Sequence, residues 1–158
     1  MKRKLKIFIS ALFVVLIVFA VMFLFEEGKK REVKNLVIAY NTLITKAHLE
    51  MNAGLMKRLT SDWQIKKIDS YIAYNLKNKR IIKGELKDFE FKDVDIEDDL
   101  ATIITTERWL WMYVDPATKN PISELFDELY GNTYHLKKVE GLWVVDDLES
   151  NFIGKAED

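Results

Sequence analysis

The most informative segment of this chain is residues 100–114, which read LATIITTERWLWMYV. β-Branched and aromatic residues dominate it, and such side chains pack well on a pleated sheet, so the segment is predicted to be one long central strand. Beyond Arg108 both faces of the strand are apolar. This half of the strand is therefore expected to be covered on both sides or to form a contact surface.

Further strands are predicted on both sides of this segment. Residues 86–96 show the period of two that is typical of a strand, and Glu97-Asp98-Asp99 is the predicted turn that follows it. Toward the end of the chain, Thr133–Val139 and Leu142–Leu148 form a predicted hairpin around Glu140-Gly141. The sheet is thus expected to contain about four strands.

Two or three helices are predicted before the strands. Residues 29–60 carry apolar residues at three- and four-residue steps, which places them on one helix face. The pattern loosens at Asn52-Ala53-Gly54, so this segment is one helix or two that meet near residue 52. A further helix is predicted after Thr60 or Ser61, either of which suits an N-cap. Helices followed by strands indicate an α+β domain, with the helices packed on one face of a curved antiparallel sheet.

An apolar run precedes this domain. From Ile7 to Phe25 the only polar residue is Ser10, and charged residues flank the run on both sides. As a helix it spans roughly 28 Å at about 1.5 Å per residue, close to the bilayer's hydrocarbon core of about 30 Å. We therefore predict a transmembrane helix at residues 7–25. One alternative is a cleaved signal peptide, whose apolar region is only about 7–15 residues long. The other is a buried core helix, which the charges at both ends of the run disfavour.

The apolar run divides the chain into its predicted parts. These are a short basic cytoplasmic tail (residues 1–6), the transmembrane helix (7–25), a juxtamembrane helix start (26–35), the α+β domain (36–150) and a flexible tail (151–158). Lys and Arg residues lie close to both ends of the run, so their count alone does not fix the orientation. The N-terminal group adjoins the run directly, which favours a single-pass protein of the cell membrane with an extracytoplasmic domain.

Composition excludes several classes of function. The chain has no cysteine, which rules out disulfides, thiol catalysis and thiolate zinc sites. Of its 24 basic residues four precede the apolar run, which leaves 20 against 25 acidic residues. A domain with this balance is a poor candidate for nucleic-acid binding, which needs clustered cations. No cofactor is predicted, because the sequence has no glycine-rich phosphate loop.

Several packing motifs resemble a known family. The closing hairpin carries Tyr134-x-Leu136 and Gly141-x-Trp143-x-Val145, which resembles the cone-shaped nuclear-transport-factor-2-like fold. Together with Ala39-Tyr40 and Thr106-Glu107-Arg108-Trp109, the hairpin more narrowly resembles the inter-membrane-space domain of plastid division proteins and its bacterial relatives. The resemblance covers about residues 30–150. It implies a tethered domain that holds a partner segment or a neighbouring copy, and it does not establish an activity.

Candidate site residues follow from this layout. In the fold that the chain resembles, a pocket opens between sheet and helices near Glu107. This carboxylate is interpreted either as a base beside His135 or as the partner of a lysine on a neighbouring strand. His48 and His135 are interpreted as surface or edge residues, because no further metal ligands accompany them, and no catalytic or metal site is predicted. The predicted interface or pocket residues are Trp109, Trp111, Tyr113, Tyr134, Trp143, Glu107 and Tyr40.

The sequence favours a membrane-anchored, non-enzymatic scaffold that mediates protein–protein assembly at the membrane surface, either free-standing or as an accessory subunit of a membrane complex. Its predicted partners are the lipid bilayer and a membrane protein or a second copy of the chain. The partner is expected to dock on the sheet face around Trp109–Tyr113, because aromatic residues anchor interfaces. The alternative is a pocket for a small molecule or lipid, less readily a catalytic one, and it requires a deep cavity lined by Tyr40, Glu107, Trp109 and Tyr134.

Overall fold

The computed structural model describes residues 2–156, and it describes side chains from residue 21 onward. The helices are α1 (Lys2–Glu50), a 3-10 turn (Ala53–Met56) and α2 (Asp62–Lys77). The strands are β1 (Ile81–Glu97), β2 (Leu100–Val114), β3 (Phe126–Val139) and β4 (Leu142–Lys155). The chain divides into two compact units, with the boundary between Glu32 and Val33.

The first unit contains the N-terminal part of α1. The predicted basic tail, residues 1–6, and most of the predicted transmembrane span lie outside the residues whose side chains are described. Residues 21–25 at the end of that span are described, and their apolar side chains are exposed. Within the described part of the chain, no helix combines the length and the apolar character needed to cross a membrane.

The second unit is built on a four-stranded antiparallel sheet with the strand order β1-β2-β3-β4. Each strand pairs with the next one along the chain, as in a meander. The turn between β3 and β4 contains Glu140 and Gly141, which have φ angles of 53° and 82°. Two successive residues with positive φ match the twist of a hairpin, and glycine adopts this conformation without a steric penalty. The hairpin around Glu140-Gly141 is confirmed.

The helices pack on one face of the sheet and form the core with it. The buried apolar core residues include Val33, Val37, Tyr40 and Ala47 of α1, Ile68 and Ile72 of α2, and Ala101, Ile103, Tyr134, Leu136, Trp143 and Val145 of the strands. Steps of three, four and seven residues place the α1 members on one helix face. α2 begins after the predicted N-cap Ser61, whose Oγ accepts a hydrogen bond from the Gln64 backbone N–H at 3.3 Å. The predicted α+β architecture is confirmed.

The strands extend farther than their sequence patterns indicate. A flexible tail was expected from residue 151, but this is wrong for residues 151–155, because β4 continues to Lys155 opposite Glu128 of β3. A register shift between Leu129 and Tyr130 interrupts the two-residue alternation near this end of the sheet. Such a bulge moves the following side chains to the other face, so the alternation that marks a strand is lost from the sequence.

One edge of the sheet is formed by β1 and is strongly charged. Its exposed side chains include Lys87, whose Nζ lies 2.7 Å from Glu85 Oε1, and Lys92, whose Nζ lies 2.6 Å from Glu90 Oε2. These exposed pairs contribute little to stability. Charged side chains on an edge strand do, however, hinder its pairing with other chains.

The opposite edge is formed by β4 and has a different character. Near its start, Val145 exchanges backbone hydrogen bonds with Leu59 and Ser61 of the segment before α2. Farther along, Phe152 and Ile153 are 58% and 56% exposed. The two edges of the sheet therefore differ in both charge and covering.

Candidate binding pocket

A cavity of about 230 Å³ lies in the second unit, between the helices and the inner face of the sheet. Its wall is formed by side chains of all four strands, one side of α1 and Tyr71 of α2. At Gly84 of β1, an added Cβ atom would lie at ordinary van der Waals distance, 3.8 Å, from both Trp109 Cε3 and Trp111 Cβ. A larger residue at position 84 would project toward these indoles and fill part of the cavity.

Glu107 of β2 is the acidic residue of this wall, and it is only 1% exposed. Its Oε1 accepts hydrogen bonds from Asn41 Nδ2 at 3.1 Å, Thr105 Oγ1 at 2.8 Å and the Tyr134 hydroxyl at 2.7 Å. Its Oε2 accepts one from Trp109 Nε1 at 2.9 Å. Hydrogen bonds to a charged acceptor are stronger than neutral ones, so these four donors hold the carboxylate in place within the fold.

All four donors are neutral, so none of them cancels the charge of Glu107. Arg108, the next residue, belongs to the other face of β2 and donates to Asp127 from Nε at 2.9 Å and from Nη2 at 2.6 Å. Burial and the nearby Glu107 carboxylate raise the pKa of Tyr134 well above its usual value. The Tyr134 hydroxyl therefore keeps its proton and donates a hydrogen bond to Glu107.

The sequence-based interpretations of Glu107 were both wrong. A lysine partner on a neighbouring strand was one expectation, but the donors to Glu107 are a helix side chain and three inner-face side chains of β2 and β3. A base beside His135 was the other. His135 follows Tyr134 along β3 and therefore belongs to the opposite face of the sheet, where its Nε2 lies 3.4 Å from Glu149.

A second carboxylate, Glu128, organises the aromatic part of the wall. Its Oε2 accepts hydrogen bonds from Trp111 Nε1 at 2.8 Å and from the Tyr130 hydroxyl. Burial and Glu128 together raise the pKa of Tyr130. The indole of Trp111 also stacks on Phe126, with ring centroids 4.3 Å apart. Fixed hydrogen bonds and stacking give this wall a defined shape.

His48 lies in the cavity wall, which corrects the prediction of a surface or edge position. Its ring meets the ring of Tyr71 edge to face, with centroids 5.6 Å apart. Burial lowers the pKa of His48 from its usual 6.5 to about 4. The imidazole is therefore neutral at physiological pH, and it adds no positive charge to the wall.

Comparison with solved structures identifies the architecture. The intermembrane space region of the chloroplast protein ARC6 is similar to this chain with a TM-score of 0.66 and 12% identity, covering 78% of this chain and 97% of that one. A ketosteroid isomerase-like protein from Erwinia carotovora atroseptica is similar with a TM-score of 0.58 and 14% identity, covering 80% and 97%. The second unit has the nuclear-transport-factor-2-like fold. Neither a family model nor a curated protein matches the sequence.

The nuclear-transport-factor-2-like fold brings most of the predicted site residues to one place. Those that line the cavity are Tyr40, Glu107, Trp109, Trp111 and Tyr134. Tyr113 packs edge to face against Trp111 and lies under the Arg80 guanidinium, whose carbon is 3.8 Å from the ring centroid. Trp143 is a buried core residue. The predicted role of these seven residues as an interface or pocket stays a prediction.

Sequence reasoning missed several lining residues, among them Asn41, Gly84 and Tyr130. Asn41 could have been identified from the sequence, since it is a polar residue on the apolar face of a predicted helix, one position from Tyr40. Gly84 and Tyr130 carry none, because their place in the cavity depends on register. Gly84 pairs with Trp111, and Tyr130 pairs with Glu107.

Proposed function

We propose that this protein is a membrane-anchored, non-enzymatic binding domain whose pocket receives one small group of another membrane component. The cavity of about 230 Å³ carries this proposal. Pockets for whole drug-sized ligands measure about 300–1,000 Å³, whereas an apolar cavity of about 150 Å³ already holds benzene. The pocket therefore suits a single ring, branched side chain or headgroup rather than a large substrate.

A non-enzymatic role is supported by the state of Glu107. A general base must offer a free lone pair to the proton that it removes. The Glu107 carboxylate already accepts four hydrogen bonds, three of them on Oε1, and it is almost completely buried. These contacts favour a role in organising the pocket over a role in proton transfer to or from a substrate.

The scaffold hypothesis and the pocket hypothesis concern the same residues. Docking of a partner was predicted on the sheet face around Trp109–Tyr113, and Trp109 and Trp111 line the cavity. A partner that contacts these two indoles from the cavity side would place a group inside the pocket. The assembly role proposed here is the capture of such a group.

Membrane anchoring is the second part of the proposal, and the apolar sequence from Ile7 to Phe25 supports it. An anchor confines the domain to the bilayer surface and raises its effective concentration toward other membrane components. The basic residues directly before the apolar run support an extracytoplasmic position of the domain.

We expect the full chain to stay in the membrane pellet after washing with alkaline carbonate. A matched variant with Leu16→Lys and Phe19→Lys should be released, because each lysine at the centre of a span costs about 2.5–3.5 kcal/mol on insertion scales. Immunoblotting of pellet and supernatant measures the outcome. Release of the intact unsubstituted chain would show that it is not anchored.

A side chain that fills the pocket should abolish the binding of the membrane component. We expect a photoreactive p-benzoylphenylalanine at Tyr71, which lines the cavity and is 46% exposed, to crosslink a membrane component in native membranes. Gly84→Val in the same chain should remove that adduct, because the added side chain projects toward Trp109 and Trp111. Mass spectrometry of the purified chain measures adduct yield.

The matched control is Gly131→Val. A Cβ atom at Gly131 would meet the flexible and exposed side chain of Ile153 at 3.3 Å, outside the cavity. This variant should keep the adduct. Equal adduct yields from the Gly84→Val and Gly131→Val chains would contradict a binding role for the pocket. The absence of an adduct from the parent chain would contradict it as well.

A further inference from the structure

The pocket wall contains one carboxylate, Glu107, whose hydrogen-bond donors carry no charge. The donors that fix Glu107 are an amide, a hydroxyl, a phenol and an indole, all of them neutral. Among the described residues that line the cavity there is no lysine or arginine. An ionised group buried without a counter-charge is unfavourable, so a cation in the cavity would be stabilised by Glu107.

The remainder of the wall is rich in aromatic rings. Six rings of tyrosine or tryptophan line the cavity, namely Tyr40, Tyr71, Trp109, Trp111, Tyr130 and Tyr134. The π-electron cloud of such rings attracts a cation within about 6 Å of the ring centroid, and the attraction is strongest where water is excluded. Aromatic walls with one buried carboxylate therefore form an environment for a desolvated organic cation.

Primary and quaternary ammonium groups differ in the number of hydrogen bonds that they need from the pocket. A primary ammonium brings three donors that need acceptors and is strongly hydrated. The acceptor positions of Glu107 are largely occupied, since Oε1 already takes three hydrogen bonds. A quaternary ammonium has no N–H donor, and its methyl groups pack against aromatic and aliphatic side chains such as Ile44 and Leu148 of the wall.

We propose that the group captured by the pocket is a quaternary ammonium, carried either by a lipid headgroup or by a free small molecule. This inference rests on the binding function proposed above. The volume of about 230 Å³ accommodates a trimethylammonium group with its first carbons, since a smaller cavity of about 150 Å³ holds benzene. Glu107 supplies the counter-charge, and the indoles of Trp109 and Trp111 supply the cation–π surface.

The test compares choline with 3,3-dimethylbutan-1-ol, which has the same shape and no charge. The full chain is held in dodecyl maltoside micelles, because this detergent has no ammonium group. Nuclear magnetic resonance of the indole N–H groups reports binding at Trp109 and Trp111. We expect choline to bind at least tenfold more tightly than the neutral alcohol, and Gly84→Val, but not Gly131→Val, to abolish the binding.

Two variants test the contributions of the carboxylate and of the aromatic rings to choline binding. Glu107→Gln removes the charge and keeps one acceptor oxygen, and it should weaken choline binding at least tenfold while the alcohol is unaffected. Trp111→Leu removes one ring and should weaken choline binding by a smaller factor. If Glu107→Gln fails to fold, the comparison of choline with the alcohol on the parent chain still decides. Equal affinity for both, or no binding of choline, overturns the proposal.

Nanodiscs separate the two sources of the ammonium group. If a lipid headgroup enters the pocket, phosphatidylcholine discs should shift the indole signals without added choline, and phosphatidylglycerol discs should not. If only free choline shifts them, the ligand is a small molecule, and both results support an ammonium site. A Tyr71 adduct that Gly84→Val removes, together with failure of choline to bind, would reject the ammonium and leave the binding function standing.

Discussion

Replacement of Glu107 by alanine should lower the free energy of unfolding by about 3 kcal/mol or more. The change removes the acceptor of Asn41 Nδ2, Thr105 Oγ1 and Trp109 Nε1, and a buried donor that loses its partner costs about 1–3 kcal/mol. The Tyr134 hydroxyl keeps a second acceptor, Asn41 Oδ1 at 2.9 Å. The costs are not additive, because water can enter the adjoining cavity and satisfy some of these donors. Urea unfolding of the full chain in micelles, followed by circular dichroism, measures the change.

Glu149→Ala is the matched control for this prediction. Glu149 is exposed and lies 3.4 Å from His135, an arrangement that contributes little to stability. Its replacement should change the free energy of unfolding by less than about 0.5 kcal/mol. A loss below about 1 kcal/mol in Glu107→Ala would mean that the hydrogen bonds to the carboxylate do not stabilise the fold.

The fold should also lose stability as the pH falls from about 6.5 toward 4, through His48. Burial lowers the pKa of His48 in the folded state to about 4, whereas the unfolded chain has the usual value of 6.5. Between these values only the unfolded state binds the proton, so protonation favours unfolding. The contribution of His48 is fully present above pH 6.5, and its loss amounts to roughly 2–3 kcal/mol at about 1.4 kcal/mol per pKa unit.

Urea unfolding at pH 7.5, 6 and 4.5 measures this dependence. His48→Gln should flatten the profile in that interval, since glutamine does not titrate. His135→Gln is the matched control, because it replaces the other histidine, which is partly exposed on the opposite face of the sheet. Hydrogen bonds from Thr118 and from Arg108 lower the pKa values of Asp115 and Asp127 below the usual 3.8. The stability that these acids contribute is lost mainly below that value, so they add little to the pH dependence between 7.5 and 4.5. An equal pH dependence in His48→Gln would contradict the assignment.

The architecture was predictable where local chemistry determines it. The N-cap at Ser61 and the hairpin at Glu140-Gly141 each reflect a local conformational preference, and residues 86–96 lie in a strand as predicted. The ends of the strands were not predictable. Register shifts after Leu86 in β1 and between Leu129 and Tyr130 break the alternation, and nothing in the local sequence specifies which residue is the extra one.

The pocket was predictable only in part, for a related reason. Glu107, Trp109 and Trp111 share one parity of β2, so sequence alone places them on one face. Two of the four donors to Glu107 come from other elements, Asn41 from α1 and Tyr134 from β3, at separations of 66 and 27 residues. Such contacts depend on the packing of helix against sheet, which a single sequence does not specify.

The unequal edges of the sheet limit how copies of this chain can polymerise. Confinement to a bilayer would crowd the copies in two dimensions and promote strand addition between them. β1 opposes such addition with its lysine–glutamate pairs, whereas β4 presents Phe152 and Ile153 beyond the segment that covers its start. If only the β4 edge can pair, two chains can join edge to edge about a two-fold axis. The β4 edge of each chain is then occupied, so a third chain cannot add and a fibre cannot grow.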